Sequence, residues 1–66
     1  MFIDDALAYD ALDNGELITK STPSSETKGM WYEIYRLKDK VYAIGMSNVG
    51  MAFGEEISED TISNYV

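Results

Sequence analysis

The sequence contains no cysteine and no histidine. Without cysteine there is no disulfide, no thiolate metal site and no sulfur nucleophile. Without histidine the commonest metal ligand and the commonest general base are both missing. Proline occurs once, at Pro23, and basic residues number five against twelve acids. No apolar run approaches the roughly 18 residues that a membrane-spanning helix needs. Asp4 and Asp5 stand where a secretory signal needs lysine or arginine, so the expected location is cytoplasmic. These absences remove most small catalytic scaffolds. They predict a protein that is not an enzyme, with no catalytic residue, no cofactor and no metal.

What is present is a 66-residue chain, 45% hydrophobic and 26% charged, a globular rather than a disordered composition. That length predicts one small domain over residues 1–66. The formal net charge is −7 and is unevenly spread. Residues 1–20 carry five carboxylates against Lys20, for a net −4. Residues 21–40 carry a net +1, and residues 41–66 carry four carboxylates and no base, a net −4. Two acidic ends flanking a mildly basic middle repel free nucleic acid and anionic lipid and attract basic surfaces. The plainer account is that acidity keeps a small protein soluble.

Residues 4–14 read as a helix. Asp4 or Asp5 serves as cap, Ile3 as the preceding staple residue, and Ala6, Leu7, Ala8, Ala11 and Leu12 as good helix formers. The spacing places Ile3, Leu7, Ala8, Ala11 and Leu12 on one face. Asn14-Gly15 ends the helix, with a left-handed glycine expected. Glu16–Ser21 reads as a short strand and Thr22–Gly29 as a polar surface loop.

From Met30 onward the pattern is β. Met30–Lys38 and Val41–Met46 are strands joined by a turn at Lys38-Asp39-Lys40. Ser47-Asn48 is a second turn, with asparagine tolerating positive φ. Along Val49–Phe53, strict alternation points Val49, Met51 and Phe53 one way, and Gly54-Glu55-Glu56 breaks the strand. Ser58 caps a helical turn, and Asn64-Tyr65-Val66 reads as a short edge strand. The fold class is therefore α+β: an N-terminal helix packed across one face of a three- to four-stranded antiparallel sheet. Core candidates are Ile3, Leu7, Leu12, Ile18, Trp31, Ile34, Leu37, Val41, Ile44, Val49, Met51, Phe53 and Ile62.

The constellations that carry chemistry are weak. Paired carboxylates across a cleft suit glycoside hydrolysis, but so short a chain has little material for a cleft. A calcium loop counted around Gly15 places Leu12 and Ser21 at two key ligand positions. Arg36, Lys38 and Lys40 beside Tyr35 and Tyr42 suggest base stacking, yet the net charge opposes it, and three bases around a turn are commonly a solvated hairpin tip.

The stretch Ala6-Leu7 through Leu12-Asp13-Asn14-Gly15-Glu16-Leu17-Ile18-Thr19-Lys20, with the Ile57-Ser58-Glu59-Asp60 turn, is similar to the second family of Thoeris anti-defence proteins. These are phage domains that sequester cyclic nucleotide signals. Thr22-Pro23 stands where that family has a tryptophan, and Asn64-Tyr65 replaces its acidic-tryptophan ending. None of its signal-binding residues is carried over. The small, acidic, cysteine-free character also resembles the anti-CRISPR proteins, which often occupy basic nucleic-acid-binding sites.

The resulting expectation is a non-enzymatic inhibitor that occupies a basic surface of a nucleic-acid-handling protein. It touches neither nucleic acid nor membrane, and is a monomer or a homodimer through a sheet edge. Asp4, Asp5, Asp10, Asp13, Glu16, Glu55, Glu56, Glu59 and Asp60 are its candidate contacts. A surface built on Trp31, Tyr32 and Tyr35 is the rival, because aromatic residues are favoured interface anchors. The alternatives are an oligomeric sponge for a nucleotide defence signal and a plain protein-interaction domain.

Overall fold

Asp4 sets the first boundary. Its extended backbone (φ −77°, ψ 166°) precedes helix α1, Asp5–Asn14. Its carboxylate accepts the Leu7 N–H at 2.9 Å, satisfying one of the donors that a helix start leaves free. The computed structural model describes residues 1–66 as strands β1 (Phe2–Ile3), β2 (Glu16–Lys20), β3 (Trp31–Leu37), β4 (Lys40–Ser47) and β5 (Gly50–Ile57) around this helix. A 3-10 helix, Glu59–Asn64, follows. No helix is long and apolar enough to cross a membrane.

The sheet is antiparallel and ordered β1-β5-β4-β3-β2. It has five strands rather than three or four. The additional one, β1, pairs Phe2 with Glu55 and Ile3 with Gly54. Two residues carry no periodicity to read. They are held by β5, which runs through Gly54-Glu55-Glu56 instead of breaking there. A Cβ on Gly54 would lie 3.0 Å from the Ala8 methyl and from Ile3, so this glycine marks the helix's close approach to the sheet.

Both faces of the sheet are covered, not one. Along β4, Tyr42 and Ile44 pack with Ala8 and Ala11 of α1. The alternate residues Val41 and Ala43 pack with Ile34, and Ile57, Ile62 and Tyr65 close over them. Residues 41–45 are therefore buried without interruption, as a central strand covered on both sides requires. Ile34 and Ile44 are the largest fully buried side chains, one on each face. Trp31, Leu37, Met51 and Phe53 are half-buried. Ile18 is 40% exposed and Val49 91%, so neither belongs to the core.

Local backbone accounts for these differences. Gly15 is extended (φ −80°, ψ 168°), not left-handed. It is glycine because a Cβ there would sit 2.5 Å from the Ala11 carbonyl oxygen. In the second turn the positive φ belongs to Gly50 (125°), not to Asn48, and Val49 sits at the tip. The register then shifts: Met51 faces Met46 while Phe53 faces Gly45, leaving Ala52 as an extra residue. That bulge sends Met51 to the helix face and Phe53 to the other, against strict alternation. The Ser58 side chain makes no capping bond; Thr61 Oγ1 donates to the Ser58 carbonyl at 2.7 Å instead. Tyr65 closes the 3-10 helix through its N–H to the Ile62 carbonyl, so no edge strand forms at the end.

Candidate functional site

The nine acidic candidates divide between the two faces. Asp4, Asp5, Asp10 and Asp13 belong to α1 or its cap; helical spacing points Asp13 away from the Ala8 and Ala11 side that meets the sheet and sets Asp5 and Asp10 on its flanks. None of the four forms an ion pair, and α1 contains no basic residue. Asp10 accepts only a neutral partner, Asn14 Nδ2 at 2.6 Å. Asp5 and Asp13 lie two turns apart, about 12 Å along the axis.

Of the remaining acids, Glu55, Glu56 and Glu59 are engaged. Glu56 lies 3.4 Å from Lys40 Nζ. Glu55 accepts the Tyr65 hydroxyl at 2.8 Å and has the N-terminal amine 3.8 Å away. Glu59 is ion-paired with Arg36, which also faces Glu16 across the β2–β3 ladder. Arg36 is held above the usual arginine value, first by its hydrogen bond to Glu59, then by the charges of Glu59, Glu16 and Asp39. Asp60 extends this group on the 3-10 helix. The acids are thus split between the two sides of the sheet, with Glu56 on the α1 side across from Tyr42 and Glu16, Glu55 and Glu59 on the other, so neither acidic segment forms one continuous face.

The aromatic candidates also divide. Trp31, Glu33 and Tyr35 share one side of β3 by its two-residue period. Glu33 receives Trp31 Nε1 on one oxygen and the Tyr35 hydroxyl on the other, each at 2.8 Å. Tyr35 is pushed up to about 12 by burial first, then by the hydrogen bond to Glu33 and its negative charge. Tyr32 points the other way. Its ring meets Tyr65 edge-on with centroids 5.0 Å apart, and Phe53 at 5.9 Å.

A groove of about 440 Å³ opens beside these rings, lined by Met30, Trp31, Tyr32, Phe53, Asn64 and Tyr65 among others. A smaller hollow of about 200 Å³, touched by Lys20 and Glu33, lies against the same Trp31. The 21–30 loop is a built wall. Tyr32 N–H donates to Ser21 Oγ at 2.8 Å, and Thr27 Oγ1 donates to the Met30 carbonyl at 2.7 Å. Lys28 and Gly29 both take positive φ to turn the chain back. Phe53 and Tyr65 are groove residues that sequence reasoning missed. Their only sequence signal is aromatic identity, and their meeting depends on the bulge at Ala52 and on the 3-10 helix.

Nowhere do three or more carboxylates gather within reach of one metal ion. Searches against protein-family models, curated proteins and solved structures return no match.

Proposed function

We infer that this chain is a non-enzymatic acidic binding protein. It occupies a basic, nucleic-acid-binding cleft of a host defence protein, as phage inhibitors of the anti-CRISPR type do, and it works in the cytoplasm. The observation that carries the reading is α1: four carboxylates at and along the helix, no base, no ion pair. Carboxylates neutralised at home gain little from a basic partner. Those left unpaired keep their full charge for steering and for contact.

A cleft suits the acids better than a flat surface does. Glu16 and Asp60, neither of them in an ion pair, lie away from α1, on β2 and on the 3-10 helix, so two basic walls are needed to meet both groups. Sheet-edge dimerisation is less suited to this chain. β1 has only two residues, and β2 carries a bulge between Leu17 and Thr19, which discourages strand addition.

The test reverses Asp5, Asp10 and Asp13 to lysine together, sparing the capping Asp4. The chain with these changes and the unchanged chain are each used to capture partners from a host lysate. Nucleic-acid-handling proteins are expected on the unchanged chain alone. They should be released as salt rises from 0.1 to 0.5 M and the Debye length falls from about 10 Å to about 4 Å. Equal retention of those partners by the reversed variant sinks the reading.

A further inference from the structure

We propose that the groove between Tyr32, Phe53 and Tyr65 is a receptor for an arginine side chain projected from the basic wall that faces the 3-10 helix. This deepens the binding role above and rests on it for the identity of the partner. The groove is walled by Tyr32, Phe53 and Tyr65 with Trp31 at its border, and no charged side chain lines it. Tyr32 meets both of its ring neighbours edge-on, at 83°. A cation is drawn to the negative face of an aromatic ring, and a guanidinium also stacks flat on it.

A carboxylate stands behind one of these rings. Glu55 accepts from the Tyr65 hydroxyl at 2.8 Å. It pulls the donated hydrogen toward itself and leaves the ring more electron-rich. Asn64 adds an amide oxygen able to accept a guanidinium N–H. The groove is open on one side, so an entering guanidinium keeps part of its hydration and escapes the full cost of burial. A nucleotide would find the same rings but no cation for its phosphate, within a chain of net charge −7.

The single tryptophan lines the groove and reports on it directly. N-acetyl-arginine amide, N-acetyl-citrulline amide and adenosine monophosphate are titrated at constant ionic strength while Trp31 fluorescence is followed. Citrulline replaces the guanidinium by a neutral group of nearly the same shape. The arginine probe is expected to bind at least about fivefold more tightly than the citrulline probe. Phe53→Leu keeps apolar volume but removes a ring, and should weaken the arginine probe by about fivefold. Glu55→Gln keeps an acceptor for Tyr65 and removes the charge. It should weaken the arginine probe about twofold or more while circular dichroism stays unchanged.

Equal binding of arginine and citrulline, tighter binding of the nucleotide, or no response to arginine overturns the assignment. Undiminished arginine binding by a folded Phe53→Leu chain overturns it too. The chain with lysine at 5, 10 and 13 separates the two ideas. It should bind the arginine probe normally while losing the basic partner. If it keeps the partner, the docking reading fails and the groove assignment stands on its own measurement.

Discussion

The Trp31 indole donates to Glu33 at 2.8 Å, two residues along the same strand. The second oxygen of that carboxylate takes the Tyr35 hydroxyl, so one acid holds two aromatic rings in line on β3. The contact is local in sequence, but it is partly buried, and both of its residues line the smaller hollow.

Glu33→Ala removes the acceptor and leaves an indole N–H and a phenol O–H without it. The expected loss is about 1–3 kcal/mol. That is a large share of the roughly 3–10 kcal/mol that a chain of this length holds. A lower urea midpoint with altered Trp31 emission is the expected result; an unchanged midpoint shows that the carboxylate does not organise the strand.

Tyr35 gives a pH signature. Its phenol is pushed up to about 12, chiefly by burial and then by Glu33. The folded state therefore keeps its proton where the unfolded chain releases it near the usual tyrosine value of about 10. This contribution is fully present below about pH 10 and is lost as pH rises toward about 12. In Glu33→Gln the Tyr35 value should fall only part of the way, because burial is the larger cause. Titration of the Tyr35 ring by NMR measures this, and a complete return to the ordinary value contradicts it.

Core substitutions should rank by burial. Ile44 is fully buried under α1, and Ile44→Ala is expected to cost about 2–5 kcal/mol. Ile18, 40% exposed beside the β2 bulge, should cost less than about 1 kcal/mol when cut to alanine. Leu12, half-buried, should fall between them. Matched denaturation curves give the order, and an Ile18→Ala loss equal to that of Ile44→Ala would place the core elsewhere.

Two backbone substitutions should act in opposite directions. Gly15→Ala drives a methyl against the Ala11 carbonyl and should cost about 1–3 kcal/mol. Lys38 and Asp39 both have positive φ, 50° and 67°, in the two-residue β3–β4 turn. Asp39→Gly relieves one of them and should gain up to about 1 kcal/mol. Thermal unfolding of the two variants decides. A stabilised Gly15→Ala chain would mean that the helix end moves freely away from β2.

The helix was readable because its determinants lie within a few residues of one another. Asp4 caps Leu7, alanine and leucine fill the turns, and Gly15 ends them. The β3–β4 hairpin was readable for the same reason, through aromatic and β-branched strands around Lys38-Asp39. Strand β1 was not, because Phe2 and Ile3 are extended only by virtue of their pairing with Glu55 and Gly54. The groove was not either. Tyr32 on β3, Phe53 on β5 and Tyr65 just past the 3-10 helix come from separate parts of the chain and show no shared spacing.

Taken alone, the sequence determined the chemistry that is missing, the charge of −7 with its acidic ends, and the elements whose signals are local. Tertiary structure decided which way the side chains face. A strand's side chains alternate with a period of two, so the single extra residue at Ala52 sends Met51 and Phe53 to opposite layers. Pairing partners set that register, and they come from distant parts of the chain. The same holds for the acids. Their number is written in the sequence, but their division between two sides follows from a sheet that carries α1 on one face and the 3-10 helix on the other.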